Sequence, residues 1–410
     1  MLQYQARHSK AIKHLDLANQ VLLMLYLFIS VNDLLLLPLG ALWFKYLILF
    51  LVVITLFVGK LLRSKATLFY GFILTSFFLI SSIVAFTYSN NIDYAYAENL
   101  SLLTALVTPV IVFNWINDNP IKIISISEFF LWSILFATLY KIFYVVYLQG
   151  YLPFTFFEII YKDVAGRGQI EGLDRLNTGN QLLVSFAFFT AFRFFSIGYK
   201  NYFMIFVMLV CALNTYLAAS RFFTPVTYGL LAIIIFFNVD VKLIWKIFFF
   251  VLMAYLSYLL TMDVLAARES FGADDSELIR LIQNKALLQS FFNAPVFGNG
   301  PGFYIPELGY DTPWAFENQT LVVFAKYGLV GFSFIAILLF MQSKIFGFAI
   351  SRFNYFSFLF FIVLASLFNP YLFGTYAAWA FSFLLILAYI YNDANKVKIL
   401  SDGNYAKNNE

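Results

Sequence analysis

Long apolar runs separated by short polar segments follow one another along most of this chain. A run of about 18 residues, once helical, is long enough to cross the ~30 Å hydrocarbon core of a bilayer. The pattern predicts an all-α polytopic membrane protein in which residues 1–410 form a single transmembrane domain. About twelve transmembrane helices are predicted, at 18–38, 41–59, 66–87, 100–116, 123–148, 181–197, 202–219, 222–238, 243–262, 319–341, 353–370 and 372–391.

Two polar segments, 149–180 and 263–318, are much longer than the others and fall on the same side of this alternating topology. Lysine and arginine concentrate in loops of the opposite side, as in KLLRSK at 60–65 and around Lys122. Because short positively charged loops stay in the cytoplasm, both termini are predicted to be cytoplasmic and both long loops external. The external loops are expected to carry short helices, one of them at 276–290.

Composition supports the membrane assignment, since 62% of the residues are hydrophobic and only 12% are charged, against roughly 25% charged in soluble domains. The basic N-terminal segment lacks a short apolar stretch with a small-residue cleavage site, so no signal peptide is predicted. The only histidines, His8 and His14, lie in the predicted cytoplasmic tail, which excludes imidazole chemistry on the external side. No phosphate-binding GxxxxGKS/T loop occurs. We therefore expect no metal, no nucleotide, no other cofactor and no nucleic-acid partner.

Arginines on the external side run against the usual charge bias of membrane proteins and therefore need a reason. Arg167 and Arg175 lie in the first long loop, Arg221 at the end of a predicted span, and Arg280 in the second long loop. A guanidinium remains charged at any relevant pH and can grip phosphate oxygens through two parallel hydrogen bonds. The pattern indicates a site for a phosphate-bearing substrate.

Three of these arginines also have a plainer explanation. Arg175 could pair with Asp174 or Glu171 in a solvated loop. Arg280 could pair with Glu277 one helical turn earlier. Arg221 could simply extend towards the lipid headgroups. The DDSE sequence before the predicted helix could cap that helix or, alternatively, bind a divalent cation through oxygen ligands.

The second long loop ends in two further features. The sequence NAPVFGNGPGF places Gly298, Gly300 and Gly302 at alternate positions, which permits a tight turn and close backbone approach to a ligand. Glu317 and Asn318 then stand at the start of an apolar span. A partly desolvated Glu317 could act as a general base, or it could cap the helix, although asparagine is the better cap.

Few charges fall inside the predicted spans. Asp33, Lys141 and Arg193 lie within or near span ends. Ion-coupled transporters usually depend on a carboxylate near the membrane midplane, and Asp33 is the candidate for it. A flippase or secondary transporter of lipid-linked sugars is therefore the alternative function from a different class.

The order of these features resembles the O-antigen polymerase and ligase family of bacterial inner membranes, which contains the Wzy-type polymerases and the lipid A-core ligases. The matching segments are, in chain order, GLDRLNTGNQ, Ser220-Arg221, Arg280, the turn from Pro295 to Gly302, and Glu317-Asn318 followed by YGLVG. Ligases of this family place histidine where this chain has Glu317, so the resemblance favours a polymerase over a ligase.

The resemblance implies a glycosyltransferase that polymerises undecaprenyl-diphosphate-linked oligosaccharide repeat units, as donor and acceptor, into O-antigen or a related surface polysaccharide. The enzyme would lie in the bacterial inner (cytoplasmic) membrane with its active site facing the periplasm. Glu317 would be the base, and Arg280 and Arg221 would stabilise the leaving lipid diphosphate. Membrane lipids and a polysaccharide chain-length regulator are further implied partners. The residues expected to bind substrate are Arg175, Arg167, Asn318, Gly300 and Trp314.

Overall fold

The fold is taken from a computed structural model of the chain. The structure describes residues 16–32, 45–52, 65–88, 90–116, 121–148, 166–170, 173–177, 180–218, 222–229, scattered positions between 243 and 262, 273–305, 316–345, 352–368 and 372–392. Within these ranges the regular structure is helical apart from one short β-hairpin. Arg221, Trp314 and Asp33, which the sequence singled out, lie outside the described residues.

The longer helices alternate with short connections, as the hydrophobic pattern predicts. In chain order they are α1 (Asp16–Asn32), α2 (Lys65–Thr87), α3 (Ile92–Ile116), α4 (Ile121–Leu148), α5 (Gln181–Ser196), α6 (Asn201–Leu217), α7 (Ala273–Asn293), α8 (Gln319–Ile345), α9 (Arg352–Ala365) and α10 (Gly374–Asn392). The hairpin consists of β1 (Gly166–Ile170) and β2 (Leu173–Asn177), between α4 and α5.

Five helices in the described part of the chain are long and apolar enough to cross a membrane. They are Thr67–Thr87, Ile92–Ile116, Ile121–Phe143, Gln319–Gln342 and Gly374–Tyr391. Each overlaps a predicted span, although Ile92–Ile116 begins eight residues before the predicted span 100–116, so the prediction of a helical membrane protein with several spans is supported. The total of twelve spans and the external position of the long loops stay predictions.

The outward face of α2 has the surface that a membrane environment requires. Phe72 is 68% exposed, Leu79 63% and Phe86 80%, although all three side chains are large and apolar. Exposing such surface to water costs roughly 25 cal/mol per Å², whereas lipid chains cover it without that cost. We therefore expect this face of α2 to contact lipid.

The chain divides into two compact units. Unit 1 contains Met1–Ser30, Phe44–Ile123 and Glu277–Asn392, and unit 2 contains Val31–Trp43, Ile124–Ser276 and Asp393–Glu410. In unit 1, α10 packs along α3 and α8 packs along α2. Buried alanines on α10, such as Ala377, Ala378 and Ala380, allow the close helix approach that is common inside membranes. The single transmembrane domain stays a prediction.

In unit 2, α5 packs against α6, and β2 lies beside α6. The strands pair antiparallel, with Gly168 opposite Arg175 and Arg167 opposite Leu176. Only two residues, Glu171-Gly172, separate the strands in sequence, which is the loop length of the commonest hairpins. The expectation of a helix in the first long loop is therefore not met by its described residues, because the glycines of β1 disfavour a helix.

Candidate active site

Arg280 and Glu317, two residues that the sequence singled out separately, form an ion pair in unit 1. Arg280 lies on α7, which confirms the helix predicted at 276–290, and its Nε donates a hydrogen bond to Glu317 Oε2. The two side chains are 28% and 41% exposed, so the pair lies at a surface that a ligand can reach. The side chain of Glu277, the alternative partner of Arg280, lies outside what the structure describes.

Asn318 fixes the position of Glu317 relative to the two helices. Its Oδ1 accepts the Leu321 N–H at 3.1 Å, which makes Asn318 the N-cap of α8. Its Nδ2 donates to Asn284 Oδ1 on α7 at 3.2 Å, and the Glu317 N–H donates to Gln283 Oε1 at 3.3 Å. Because the asparagine caps the helix, the Glu317 carboxylate is left for Arg280.

The loop before this site is docked into a break in α8. The helix is interrupted at Gly328, where φ is 61° and ψ is −166°. Such a break frees backbone groups that need partners inside a membrane. Four backbone hydrogen bonds supply them: Asn299 N–H to Ala325 O at 2.9 Å, Gly300 N–H to Lys326 O at 2.8 Å, Leu329 N–H to Pro295 O at 2.9 Å, and Val330 N–H to Val296 O at 3.0 Å.

The alternate glycines make this docking possible. Gly298, Gly300 and Gly302 have φ values of 70°, 82° and 79°, which side-chain-bearing residues rarely adopt. A Cβ atom at Gly298 would lie 2.4 Å from Lys326 O, and one at Gly300 would lie 2.8 Å from Ala85 Cα. The close approach that the spacing predicts is thus made to the chain's own backbone. A role for Gly300 in substrate binding stays a prediction.

A second ion pair, which the sequence reasoning missed, lies between Lys326 on α8 and Glu98 on α3. Their side chains are 1% and 11% exposed. Glu98 Oε2 also accepts the Gly302 N–H at 2.7 Å, and Lys326 Nζ lies 5.9 Å from the ring centre of Phe316. The buried pair joins α3 to α8. The glycine loop contacts this pair through Gly302, and Phe316, the residue before Glu317, contacts it through its ring. A lysine in the apolar run QTLVVFAKYGLVG was the available signal.

The two ion pairs differ in what they can do chemically. Breaking the buried pair would leave an unpaired charge inside the protein, so its partners are fixed. The exposed pair is screened by solvent and is worth only about 0–1 kcal/mol. A phosphate can therefore replace Glu317 on Arg280, and the released carboxylate can then accept a proton.

The described part of unit 1 contains none of the other predicted site residues, which are Arg167, Arg175, Arg221 and Trp314. Arg167 and Arg175 belong to unit 2, where β1 and β2 hold their backbones at adjoining register positions. Their side chains, and all of Arg221 and Trp314, lie outside what the structure describes. Their roles in substrate binding and catalysis stay predictions. Among the described residues, no group of three or more His, Cys, Asp or Glu side chains could hold a metal ion.

Comparison with protein-family models, with curated proteins and with solved structures finds no match for this chain.

Proposed function

We propose that this protein is a membrane glycosyltransferase that polymerises undecaprenyl-diphosphate-linked oligosaccharides into O-antigen or a related surface polysaccharide. The observation that carries the proposal is the pairing of Arg280 with Glu317 at the start of an apolar helix. A lipid-linked sugar diphosphate offers an anion to the guanidinium, and a sugar hydroxyl of the acceptor offers a proton to the carboxylate. The two groups thus match the two reacting ends of such a transfer.

The proposed reaction begins when the donor diphosphate replaces Glu317 as the partner of Arg280. An acceptor hydroxyl oxygen attacks the anomeric carbon of the donor sugar, and its proton passes to Glu317. The bond between the anomeric carbon and the phosphate oxygen breaks, and its electron pair leaves with the lipid diphosphate. Arg280 stabilises the charge that grows on that oxygen. Arg221 is the second proposed donor to it.

The local structure supports a base rather than a structural role for Glu317. Helix capping, its plainest alternative role, is performed by Asn318. An ion pair with these exposures contributes little to stability, so stability alone gives no strong reason for a carboxylate at this position. The backbone of Glu317 is nevertheless held by Gln283, which gives the carboxylate a defined place next to α7.

We place the site on the periplasmic face of the bacterial inner membrane, with both termini in the cytoplasm. One contact supports a common side for two predicted external segments. Asn90 Nδ2, in the short acidic loop before α3, donates to Asn299 O at 2.7 Å and to Pro301 O at 3.0 Å in the second long loop. A polysaccharide chain-length regulator remains the proposed protein partner.

A ligase that transfers glycan to lipid A-core would use the same chemistry with another acceptor, so an assay with exchanged acceptors separates the two functions.

A transporter would belong to a different functional class. Discontinuous helices of transporters use freed backbone groups to bind substrate or ions. At Gly328 the break in α8 is instead filled by the residues around Asn299. This filling favours an enzyme over a transporter.

The proposal is tested with purified protein in proteoliposomes that contain its host's undecaprenyl-diphosphate repeat unit and no nucleotide. The parent protein should produce a ladder of glycan multimers. Arg280→Ala should slow ladder formation by about 10²–10³-fold, since it removes a donor to the developing charge. Glu317→Gln should also abolish most of the product because the amide cannot accept the proton.

Asp16→Asn is the matched control, because Asp16 is a half-exposed carboxylate that pairs with Lys122 in the same unit. It should leave the ladder unchanged. A ladder that survives Glu317→Gln at the parent rate would contradict the base assignment. Absence of any ladder from authentic substrate would contradict the polymerase itself.

A further inference from the structure

Unit 2 contains a lysine that is fully buried among amides. Lys141 lies near the C-terminal end of α4 with 0% of its surface exposed. Its Nζ donates to Asn214 Oδ1 on α6 at 2.7 Å and to Asn180 Oδ1, just before α5, at 3.2 Å. Among the described residues these are its polar partners, and neither is a carboxylate.

An ammonium at Lys141 has therefore no counter-charge in the described structure. An ammonium group has three donors, and burying it without an anion is costly even when amide oxygens accept two of its hydrogen bonds. Lys200, the lysine of the same unit that precedes α6, shows the usual arrangement, since it pairs with Glu128. The surroundings of Lys141 thus lack an anion rather than a hydrogen-bond acceptor.

The groups around Lys141 can turn towards an anion. Asn214 Nδ2 donates to Thr138 Oγ1 at 2.6 Å, and Gln181 Nε2 donates to Asn214 Oδ1 at 3.1 Å. Gln181 Oε1 is buried and has no partner among the described residues. Each amide can present its NH₂ group instead of its oxygen after a rotation, which would convert an acceptor-rich surrounding of the ammonium into donors for an anion.

A helix N-terminus adds to the same electrostatic preference. Asn180 is the N-cap residue of α5, but its side chain makes no capping hydrogen bond and is directed instead to Lys141 and to Val31 O. The uncapped N–H groups and the helix dipole favour a negative charge at this position. A buried ammonium and a helix N-terminus therefore act together.

The position of this cluster in the chain connects it to the arginine-bearing hairpin. The end of α4, the start of α5 and the end of α6 meet at Lys141. β2, the strand of Arg175, ends at Asn177 just before Asn180, and it lies beside α6. The hairpin that carries two arginines thus leads directly into the end of the bundle where Lys141 is buried.

From these observations we infer that Lys141, with Asn180 and Asn214, forms a binding site for phosphate oxygens at this end of unit 2. The identification of the ligand as a polyprenyl diphosphate rests on the proposed function. Binding would replace one amide oxygen on Lys141 by a phosphate oxygen and rotate that amide to donate. Lys141 is then a substrate-binding residue that supplies positive charge at this end of unit 2.

The test measures thermal unfolding of the purified full-length protein in detergent with farnesyl diphosphate, a short polyprenyl diphosphate, and with farnesol as the uncharged comparison. The parent protein should be stabilised by the diphosphate in a concentration-dependent manner and not by the alcohol. Lys141→Met should weaken the apparent affinity by about tenfold or more, since a charge-assisted hydrogen bond is lost. Lys141→Arg keeps the charge and should retain binding, which guards against a folding defect of the methionine variant.

Lys200→Met is the matched control in the same unit and should bind like the parent protein. Equal affinity of the parent and Lys141→Met would overturn the inference and leave Lys141 as a structural link between helices. No stabilisation of the parent by the diphosphate would also overturn it. Binding that depends on Lys141 in a protein that forms no glycan ladder would instead contradict the polymerase alone, so the two failures are distinguishable.

Discussion

Removing one member of the buried pair between Glu98 and Lys326 should destabilise the protein far more than removing both. Glu98→Gln removes the Glu98 carboxylate from the Lys326 ammonium, whose side chain is 1% exposed. Lys326→Met leaves the Glu98 carboxylate, which is 11% exposed, with the Gly302 N–H as its hydrogen-bond donor at 2.7 Å among the described residues. Each single change is expected to cost about 3–5 kcal/mol.

The double variant should be close to the parent protein in stability. It contains no uncompensated charge, and the glutamine oxygen at position 98 can still accept the Gly302 N–H. The Phe316 ring, 5.9 Å from Lys326 Nζ, cannot rescue the Glu98→Gln variant, because a cation–π contact offsets only about 0.5–2 kcal/mol. Independent effects would add to about 6–10 kcal/mol in the double variant, so the difference is large enough to measure.

The assay is a titration of the detergent-solubilised protein with sodium dodecyl sulfate, followed by circular dichroism or tryptophan fluorescence. The pair of Lys122 and Asp16 serves as the comparison cycle, because its carboxylate is 52% exposed and a pair with a solvated partner is expected to couple by about 1 kcal/mol or less. A double variant of Glu98 and Lys326 that loses the sum of the two single losses would refute the coupling. It would also refute the inference that this pair anchors the glycine loop.

Two further predictions follow from the glycines and from the predicted topology. Gly298→Ala should destabilise the protein by at least about 1–3 kcal/mol, since φ at this position is positive and the added Cβ would lie 2.4 Å from Lys326 O. Gly71→Ala is the control, because open space surrounds Gly71. It should be neutral or slightly stabilising in the same unfolding titration. Ile92 and Tyr202 are 73% and 92% exposed and are predicted to lie on opposite sides of the membrane. In a Cys211→Ser background, a membrane-impermeant maleimide should therefore label Ile92→Cys in intact spheroplasts but Tyr202→Cys only after permeabilisation. Labelling of both variants in intact spheroplasts would contradict the topology.

The features that the sequence could predict are those that depend on local chemistry. The length of the apolar runs predicted the long helices, because a helix must be long enough to cross a bilayer core of ~30 Å. Residue type predicted Asn318 as the better helix cap, which its hydrogen bond from the Leu321 N–H confirms. The spacing of the glycines predicted a close backbone approach to a ligand, whereas the structure shows a close approach to the chain's own backbone. The glycine loop approaches α8, and no local sequence pattern indicates which helix a loop will contact.

The features that the sequence could not predict depend on distant partners. Glu98 and Lys326 are 228 positions apart, and each looked like an isolated charge beside or within an apolar run. A charge inside an apolar span requires a partner, but the rule does not say which one. The hairpin of β1 and β2 was missed for a different reason. Its strands are short and glycine-containing, so hydrophobic periodicity hardly marks them.

The two ion pairs have different roles, and these roles connect the fold of unit 1 to its proposed chemistry. A catalytic group must be able to exchange its partner for the substrate, yet it must be held in place before the substrate arrives. Glu317 and Arg280 satisfy the first requirement because both are partly exposed and bind each other weakly. The second requirement falls to the buried pair, since Lys326 lies against Phe316 immediately before Glu317, and Glu98 fixes the glycine loop at Gly302. Loss of both buried charges should therefore disturb the rate of glycan transfer more than the stability, whereas loss of the exposed charges should abolish transfer and leave the stability almost unchanged.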